Sequence, residues 1–277
     1  MPGESWRWDP SLYAGSAAYY ARGRLPYPEA LADALTAELG LDGSGRLLDI
    51  GCGPGSLTLL LANRFEQAIG IDADADMVSA ARGHAAEAGI ANTRWHCLRA
   101  EELPAGLGEF RLITFAQSFH WLDRPRVAAA ALGMLTADGA CAHVHATTHQ
   151  GRADGPALPF PRPPHQEIAA LVRDHLGEVR RAGQGSLPRG TAGGEDLVYR
   201  AAGFRGPRRI ELPGRVVTRR ADDLVAAVFS LSSSAPHLFG DRRAEFEADL
   251  RRLLRAAGPD GIFSEHTHPV AVDLWLP

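Results

Sequence analysis

Leucines recur at Leu31, Leu35 and Leu39, every fourth position after Pro28, which predicts a helix ahead of the turn-rich stretch from Gly40 to Gly45. The period then changes. Arg46 to Ile50 is a short apolar run that predicts a buried strand, and after a glycine-rich loop Leu57 to Phe65 is long enough for a helix. Ala68 to Ile71 predicts a second strand, followed by a helix over Ala75 to Ala88 with Gly89 as its stop signal. The alternation continues with strands at Thr93 to Leu98, Arg111 to Ala116 and Ala140 to His145, and a helix over Pro125 to Leu135 between the last two. Strands alternating with helices predict a doubly wound α/β fold, a parallel sheet covered on both faces, with ligands gathering at the carboxyl ends of its strands.

From His149 to Pro164 proline, glycine and arginine break the alternation, which predicts a surface excursion on the substrate side. A helix over Gln166 to Arg181 follows, then a glycine-rich break from Gly183 to Gly194 and a short helix into Gly203. Arg208 to Leu212 and Val270 to Leu276 complete a set of seven strands, with helices near Asp222 to Ser230 and Arg242 to Ala256 between them. The expected organisation is an N-terminal helical lid segment over residues 1–45 and a cofactor-binding core over 46–149. An insertion with helices on the substrate side follows over 150–205, and C-terminal strands and helices over 206–277 complete the sheet.

Composition narrows the chemistry. The 277 residues suffice for one large α/β domain with a lid or insertion, and 45% apolar against 22% charged residues is ordinary globular composition. A net charge of −4 supplies no bulk positive field for a phosphate backbone, so nucleic acid is not an expected partner. Every basic residue other than histidine is arginine, which excludes Schiff-base lysine chemistry and the lysine of a P-loop. Cys52, Cys97 and Cys141 stand far apart, suggesting neither a zinc site nor a disulfide framework. Neither a secretion signal nor a bilayer-length apolar run is visible, so no membrane partner and a cytoplasmic location are expected.

Candidate chemistry concentrates after the first strand. Gly51, Gly53 and Gly55 put bare backbone where a ligand can approach, since glycine tolerates positive φ, and the next helix presents its free N–H groups there. A dinucleotide fingerprint asks for G-x-G-x-x-G, but Ser56 stands at its last position, which weakens nicotinamide dinucleotide binding. Asp72 ends the second strand 21 positions after Gly51, where a carboxylate can accept hydrogen bonds from both ribose hydroxyls.

The run Leu47-Leu48-Asp49-Ile50-Gly51-Cys52-Gly53-Pro54-Gly55 resembles motif I of class I S-adenosylmethionine-dependent methyltransferases. Gly70 to Met77 is similar to their second motif, Arg99 to Pro104 to the third, and Phe115 to Trp121 to the fourth, all in family order. Tyr20 to Pro28 and the pair His120-Trp121 are similar to the small-molecule branch that includes trans-aconitate methyltransferase-like proteins. The resemblance implies a Rossmann-like, seven-stranded, mostly parallel sheet and S-adenosylmethionine as cofactor, with S-adenosylhomocysteine as product. It implies a cofactor site of Tyr20, Arg24, Gly51, Gly53, Asp72, Ala73, Met77, Ala100, Glu101 and Gln117, in which Arg24 holds the methionine carboxylate and Tyr20 closes over the cofactor. One departure stands out: many members carry an aspartate facing the adenine amino group where this chain has Arg99, so adenine contact falls to the Ala100 backbone and Glu101.

For a small-molecule acceptor the expected contacts are Tyr19, Trp121 and His149, with His120 as candidate general base. Blander roles stand beside these. Arg24 near two prolines also suits a solvated turn, Met77 with Val78 and Ala81 also suits a core, and His120 beside Phe119 also suits a packed histidine. Asp49 suits orienting the loop as well as touching a ligand, and Cys52 suits a small buried filler. The polar run Ser230 to Ser234 suits either an acceptor contact or a helix-ending turn. His143, His145 and His149 alternate but lack a nearby carboxylate or cysteine cluster, so no metal site is expected. The arginine pairs starting at 180, 208, 219, 242 and 251 are expected on solvated faces and in local ion pairs. Two rival functions share the fold, an NAD-dependent oxidoreductase and a methyltransferase-fold protein repurposed as a binder or non-methylating enzyme.

Overall fold

The computed structural model describes residues 9–182, 185–187 and 193–277. Much of the glycine-rich break from Gly183 to Gly194 and the first residues of the N-terminal segment lie outside them. In chain order the elements are α1 (Ala17–Gly23), α2 (Glu29–Leu39), β1 (Arg46–Ile50), α3 (Ser56–Leu61), β2 (Gln67–Asp72), α4 (Ala75–Glu87), β3 (Thr93–Cys97), β4 (Phe110–Ala116), α5 (Arg124–Gly133) and β5 (Leu135–His145). Then come α6 (His165–Leu176), β6 (Arg180–Ala182), β7 (Gly185–Leu187), α7 (Glu195–Ala202), β8 (Arg205–Leu212), β9 (Val216–Arg220), α8 (Ala221–Phe229), α9 (Arg243–Ala257), β10 (Ile262–His266) and β11 (Val270–Leu276).

Seven strands form one sheet in the order β3-β2-β1-β4-β5-β11-β8. The pairs from β3 to β5 are parallel, and β11 runs antiparallel to both its neighbours. The expected α/β fold with a seven-stranded, mostly parallel sheet is therefore present. Chain order reverses at β1, whose neighbours are β2 and β4, and this places a crevice at the carboxyl ends of β1 and β4.

Both faces of the sheet are buried, as the near-continuous apolar runs require. On one face α5 and α7 cover Ile50, Ile113, Phe115 and Trp275, with Tyr199 stacked between Phe119 and Trp275. On the other, α2 and α3 bring Leu31, Leu35, Leu57 and Leu61 against Leu47, Leu112 and Val144. Helix ends follow local chemistry. The Asp74 carboxylate accepts the Asp76 and Met77 amides at the start of α4, and Gly40 in the left-handed region ends α2.

A third apolar cluster lies outside the sheet. Ile168 and Val172 of α6, Val228 and Phe229 of α8, Phe246 and Leu250 of α9 and Phe263 of β10 pack together, with Phe239 stacked on Phe246 at 4.1 Å. This lid layer takes its segments from distant parts of the chain, and α1 crosses α8 at Gly23, where a Cβ would come within 2.4 Å of the Ala226 carbonyl carbon.

Three expectations need correction here. The helix expected over Gln166 to Arg181 stops at Leu176, because Gly177 turns left-handed (φ 81°) with its amide on the Arg173 carbonyl, and Arg180 and Arg181 fall on β6. The antiparallel strand pair β9–β10 was not expected at all; its residues pair from Ile262 with Arg220 to His266 with Val216. Arg219 is buried rather than solvated. Its guanidinium donates to Glu265 Oε1 at 3.0 Å and to the carbonyls of Gly23 (2.6 Å), Asp223 (3.0 Å) and His149 (3.2 Å), binding α1, α8 and the loop after β5 to the strand pair.

Candidate active site

The loop after β1 is built from glycines that do different work. Gly51 has φ 68° and a Cβ there would meet the Ser118 Cβ at 2.4 Å, while Gly55 has φ 84° and sits 2.6 Å from the Trp95 ring by the same construction. Gly53 alone of the three opens outward, its nearest neighbour being the Tyr20 ring at 4.0 Å. The Gly51 and Cys52 amides donate to the Ile71 carbonyl, and the Gly53 amide donates to Asp72 Oδ2 at 2.8 Å. Asp72 Oδ1 accepts the Asp74 amide at 2.9 Å, so the carboxylate is held rigidly at the end of β2. Burial raises its pKa to about 6, against the two amides that favour the charged form.

Asp49 is 1% exposed and accepts the hydroxyls of Thr58 (2.6 Å) and Thr114 (2.7 Å), a brace between β1, α3 and β4. Its pKa is raised by burial. Cys52 packs beneath the loop against Trp95, Val78 and Ala81, and burial lifts its thiol well above the usual range.

A cavity of about 70 Å³ lies over this loop, lined among others by Gly51, Gly53, Asp72, Ala73, Met77 and Ala100, with Glu101, Gln117 and Tyr20 completing its walls. Every residue expected at the cofactor except Arg24 lines it. Met77 is 2% exposed, so it serves the core and the cavity wall together. Glu101 Oε1 accepts the Asp123 amide at 3.0 Å and its other oxygen lies 3.7 Å from Arg99 Nε, which makes it a bracket between two turns as well as a wall. Arg24 stands at the far end of the loop. It donates to Thr148 Oγ1 and the Ser230 carbonyl, lies over the Tyr20 ring at 4.6 Å, and keeps a buried Nε without a partner.

Beyond Tyr20 and Gln117 a larger cavity of about 400 Å³ opens beneath the lid layer. His120, Trp121 and His149 line it as expected, and so do Leu231 and Ser232 to Ser234 from the polar run. Tyr19 does not. One helical step from Tyr20, its ring turns away onto Phe229 at 5.1 Å and its hydroxyl meets Arg243, so the expected substrate contact is corrected to a lid-packing residue. Burial, and secondarily Arg124, lowers the pKa of His120 to about 4; burial with Arg24, His165 and Arg219 lowers that of His149 to about 3. Both rings are neutral at pH 7.

Tyr13, Tyr20, Gln117 and Trp121 line both cavities and form the wall they share. Gln117 holds a left-handed backbone (φ 60°) that a side chain adopts at a cost of about 1–3 kcal/mol, anchored by the Ser118 hydroxyl on the Ile50 carbonyl at 2.5 Å. The sequence held no signal for Tyr13 or for Arg180 and Arg181, which reach the large cavity from the N-terminal segment and β6. Among the described residues no helix is long and apolar enough to cross a membrane, and no group of three or more His, Cys, Asp or Glu is placed to share a metal ion.

Residues 47–139 match the family described as methyltransferase domain, and this third of the chain carries the loop, Asp72 and Gln117. The chain is 36% identical to a trans-aconitate 2-methyltransferase of Mycobacterium sp. (strain KMS) over 89 residues, 31% of this chain and 32% of that protein. It is 36% identical to the uncharacterized methyltransferase YcgJ of Bacillus subtilis (strain 168) over 83 residues, 30% and 33% of the two chains. The chain thus spans about a third of the length of these curated relatives. The crystal structure of YcgJ superimposes on 90% of this chain and 99% of its own with a TM-score of 0.51 at 18% identity. That of the [4+2]-cyclase SpnF covers 96% and 90% with a TM-score of 0.51 at 20% identity, so the fold by itself does not name the reaction.

Proposed function

We propose that this chain transfers a methyl group from S-adenosylmethionine to a small-molecule acceptor held in the larger cavity. The observation that carries this is the shared wall: Tyr13, Tyr20, Gln117 and Trp121 face both cavities, so a ligand in one meets a ligand in the other. Bound S-adenosylmethionine supplies a sulfonium methyl group, the electrophile of an in-line displacement for which a protein needs to provide alignment and water exclusion.

The chain's own residues suit those tasks. Asp72 accepts the ribose hydroxyls, Ala73 and Met77 flank the nucleoside, and Ala100 with Glu101 stands at the adenine end. The Arg24 Nε, buried and without a partner, fits the methionine carboxylate. Leu12, Tyr13 and Tyr20 roof a space of about 70 Å³, well under the roughly 300 Å³ at the small end of ligand pockets, so cofactor entry displaces the N-terminal segment. Gln117 orients the acceptor, with Trp121 and His149 along its flank. His120, neutral and half-buried, accepts a hydrogen bond from an acceptor O–H or N–H and takes its proton as the methyl group is transferred. A base this weak serves acidic acceptors best.

Calorimetry with S-adenosylhomocysteine and with NAD tests the cofactor, and transfer of labelled methyl from S-adenosylmethionine to a small-molecule panel tests the reaction. Binding of the first and not the second is expected. Binding of NAD alone, or of neither, removes the proposal. His120→Ala should lower turnover at least tenfold with S-adenosylhomocysteine affinity within about twofold; equal losses in both would remove the assignment of His120.

A further inference from the structure

The larger cavity carries an unbalanced charge. Three arginines, Arg24, Arg180 and Arg181, line it, and no aspartate or glutamate does so among its described lining residues. Two of the three are engaged. Arg24 bonds Thr148 and Ser230 and covers Tyr20. Arg181 donates to Asp9 Oδ2 at 2.6 Å and to the Leu12 and Ser232 carbonyls. Arg180 shares with Arg24 a buried Nε without a hydrogen-bond partner, but differs from both others in that no hydrogen bond or ion pair reaches its guanidinium among the described residues. Its pKa is lowered by burial and by the like charge of Arg173. The side chain is half-buried, so the donor that solvent does not reach is the Nε–H, and an anion in the cavity would supply its acceptor.

The walls around it are apolar. Ile168 and Val172 of α6, Leu224 and Val228 of α8, and Leu231 face the same space. Arg180 lines this cavity and not the cofactor cavity, whereas Tyr13, Tyr20, Gln117 and Trp121 line both. Arg180 is therefore not part of the wall that the two cavities share, and the larger cavity offers apolar side chains besides both.

Building on the methyl-transfer proposal, we propose that the acceptor is an apolar organic acid whose single carboxylate docks on Arg180 while the rest of the molecule extends to the shared wall, where it is methylated. A carboxylate takes the Nε–H and one Nη–H of a guanidinium together, which satisfies the orphaned donor. One open cation suits one negative charge. A cationic ligand meets Arg180, Arg24 and Arg181 with no carboxylate to balance it, and a neutral ligand offers the Nε only an uncharged, weaker acceptor. The charge is thus a handle for recognition, separate from the atom that receives the methyl group.

The test is calorimetric, on the full chain saturated with S-adenosylhomocysteine, using three probes of one shape: 4-phenylbutyrate, 4-phenylbutanamide and 4-phenylbutylammonium. The carboxylate should bind about tenfold or more tightly than the amide, and the ammonium weakest of the three. Arg180→Met should remove that gap while amide and S-adenosylhomocysteine affinities stay within about twofold, and Arg180→Lys should restore part of it. Equal affinities for carboxylate and amide in the unaltered chain, a gap that survives Arg180→Met, or no binding of any probe would each overturn the proposal. Failure of S-adenosylhomocysteine to bind is a separate result that removes the methyl-transfer reading, and the three probes are then compared without it to decide the anion site.

Discussion

The Gly53 amide donates to Asp72 Oδ2 at 2.8 Å, which ties the middle of the loop after β1 to the end of β2. A pKa raised by burial to about 6 means that this carboxylate changes charge close to working pH. For the protein without cofactor the sign follows directly. The group's folded pKa lies above the ordinary aspartate value of 3.8, so the stability it lends is complete below pH 3.8 and is lost as pH rises through 6, about 3 kcal/mol in all.

Ribose hydroxyls need the ionised carboxylate as acceptor, so cofactor affinity has the opposite dependence. S-adenosylhomocysteine affinity should be flat above pH 7 and fall towards tenfold per unit below pH 6. Asp72→Asn should lower affinity at pH 7.5 by at least tenfold and flatten the profile. Calorimetry from pH 5.5 to 8 decides this, and a profile unchanged by the substitution would assign the titration to another group.

The buried pair Arg219–Glu265 makes a second prediction. Glu265 is 1% exposed and its Oε2 also accepts the Gly151 amide and lies 2.7 Å from His165 Nε2, so four segments of the lid converge on two charges. Arg219→Met leaves Glu265 short of a cation and three carbonyls short of a donor, and should cost about 3–5 kcal/mol in urea denaturation. Arg219→Met combined with Glu265→Gln should cost less than the sum of the two single changes, because the second change removes the stranded charge. Strict additivity would mean that the two side chains do not act as a pair.

What the sequence made legible is what local pattern encodes. The strand Arg46 to Ile50 and the strand Val270 to Leu276 occupy those residues in the structure, since runs of apolar residues between turn signals leave little choice of element. Asp72 was visible because its spacing from Gly51 is fixed by one β-α-β unit. The lid was not. Its strand pair β9–β10 is polar on many positions and joins residues some 45 apart, and its charge Arg219 is stabilised by carbonyls from two distant segments, at Gly23 and His149, besides the nearby Asp223. Helix α1 is only seven residues long, too short to set a period, so which of the adjacent Tyr19 and Tyr20 faces the cavity depends on the packing of α1 against the lid. Arg180 passed for helix because the chain up to Leu176 is helical and Gly177 is a single residue that redirects it.

Three buried histidines give the last prediction, on stability against pH. Burial leads the causes that lower the pKa values of His120 to about 4 and of His143 and His149 to about 3, from the ordinary histidine value of 6.5. A depressed folded pKa places the stabilising contribution above the unfolded value: it is present above pH 6.5 and lost as pH falls towards the folded values. Between about pH 6 and 4 the unfolded chain carries three protons on these residues that the native protein lacks, while Asp72 holds one that the unfolded chain lacks. From these four groups alone the balance is roughly two protons taken up on unfolding, a loss approaching roughly 3 kcal/mol per pH unit as acid is added, which the raised pKa of Asp49 opposes. Urea midpoints measured at half-unit steps from pH 7 to 4 should therefore fall steeply below pH 6. His143→Phe, which leaves the Tyr199 hydroxyl without its ring partner at 3.1 Å, should lower stability at pH 7 yet reduce the slope by about one proton. An unchanged slope in that variant would show that His143 takes up its proton without unfolding the chain.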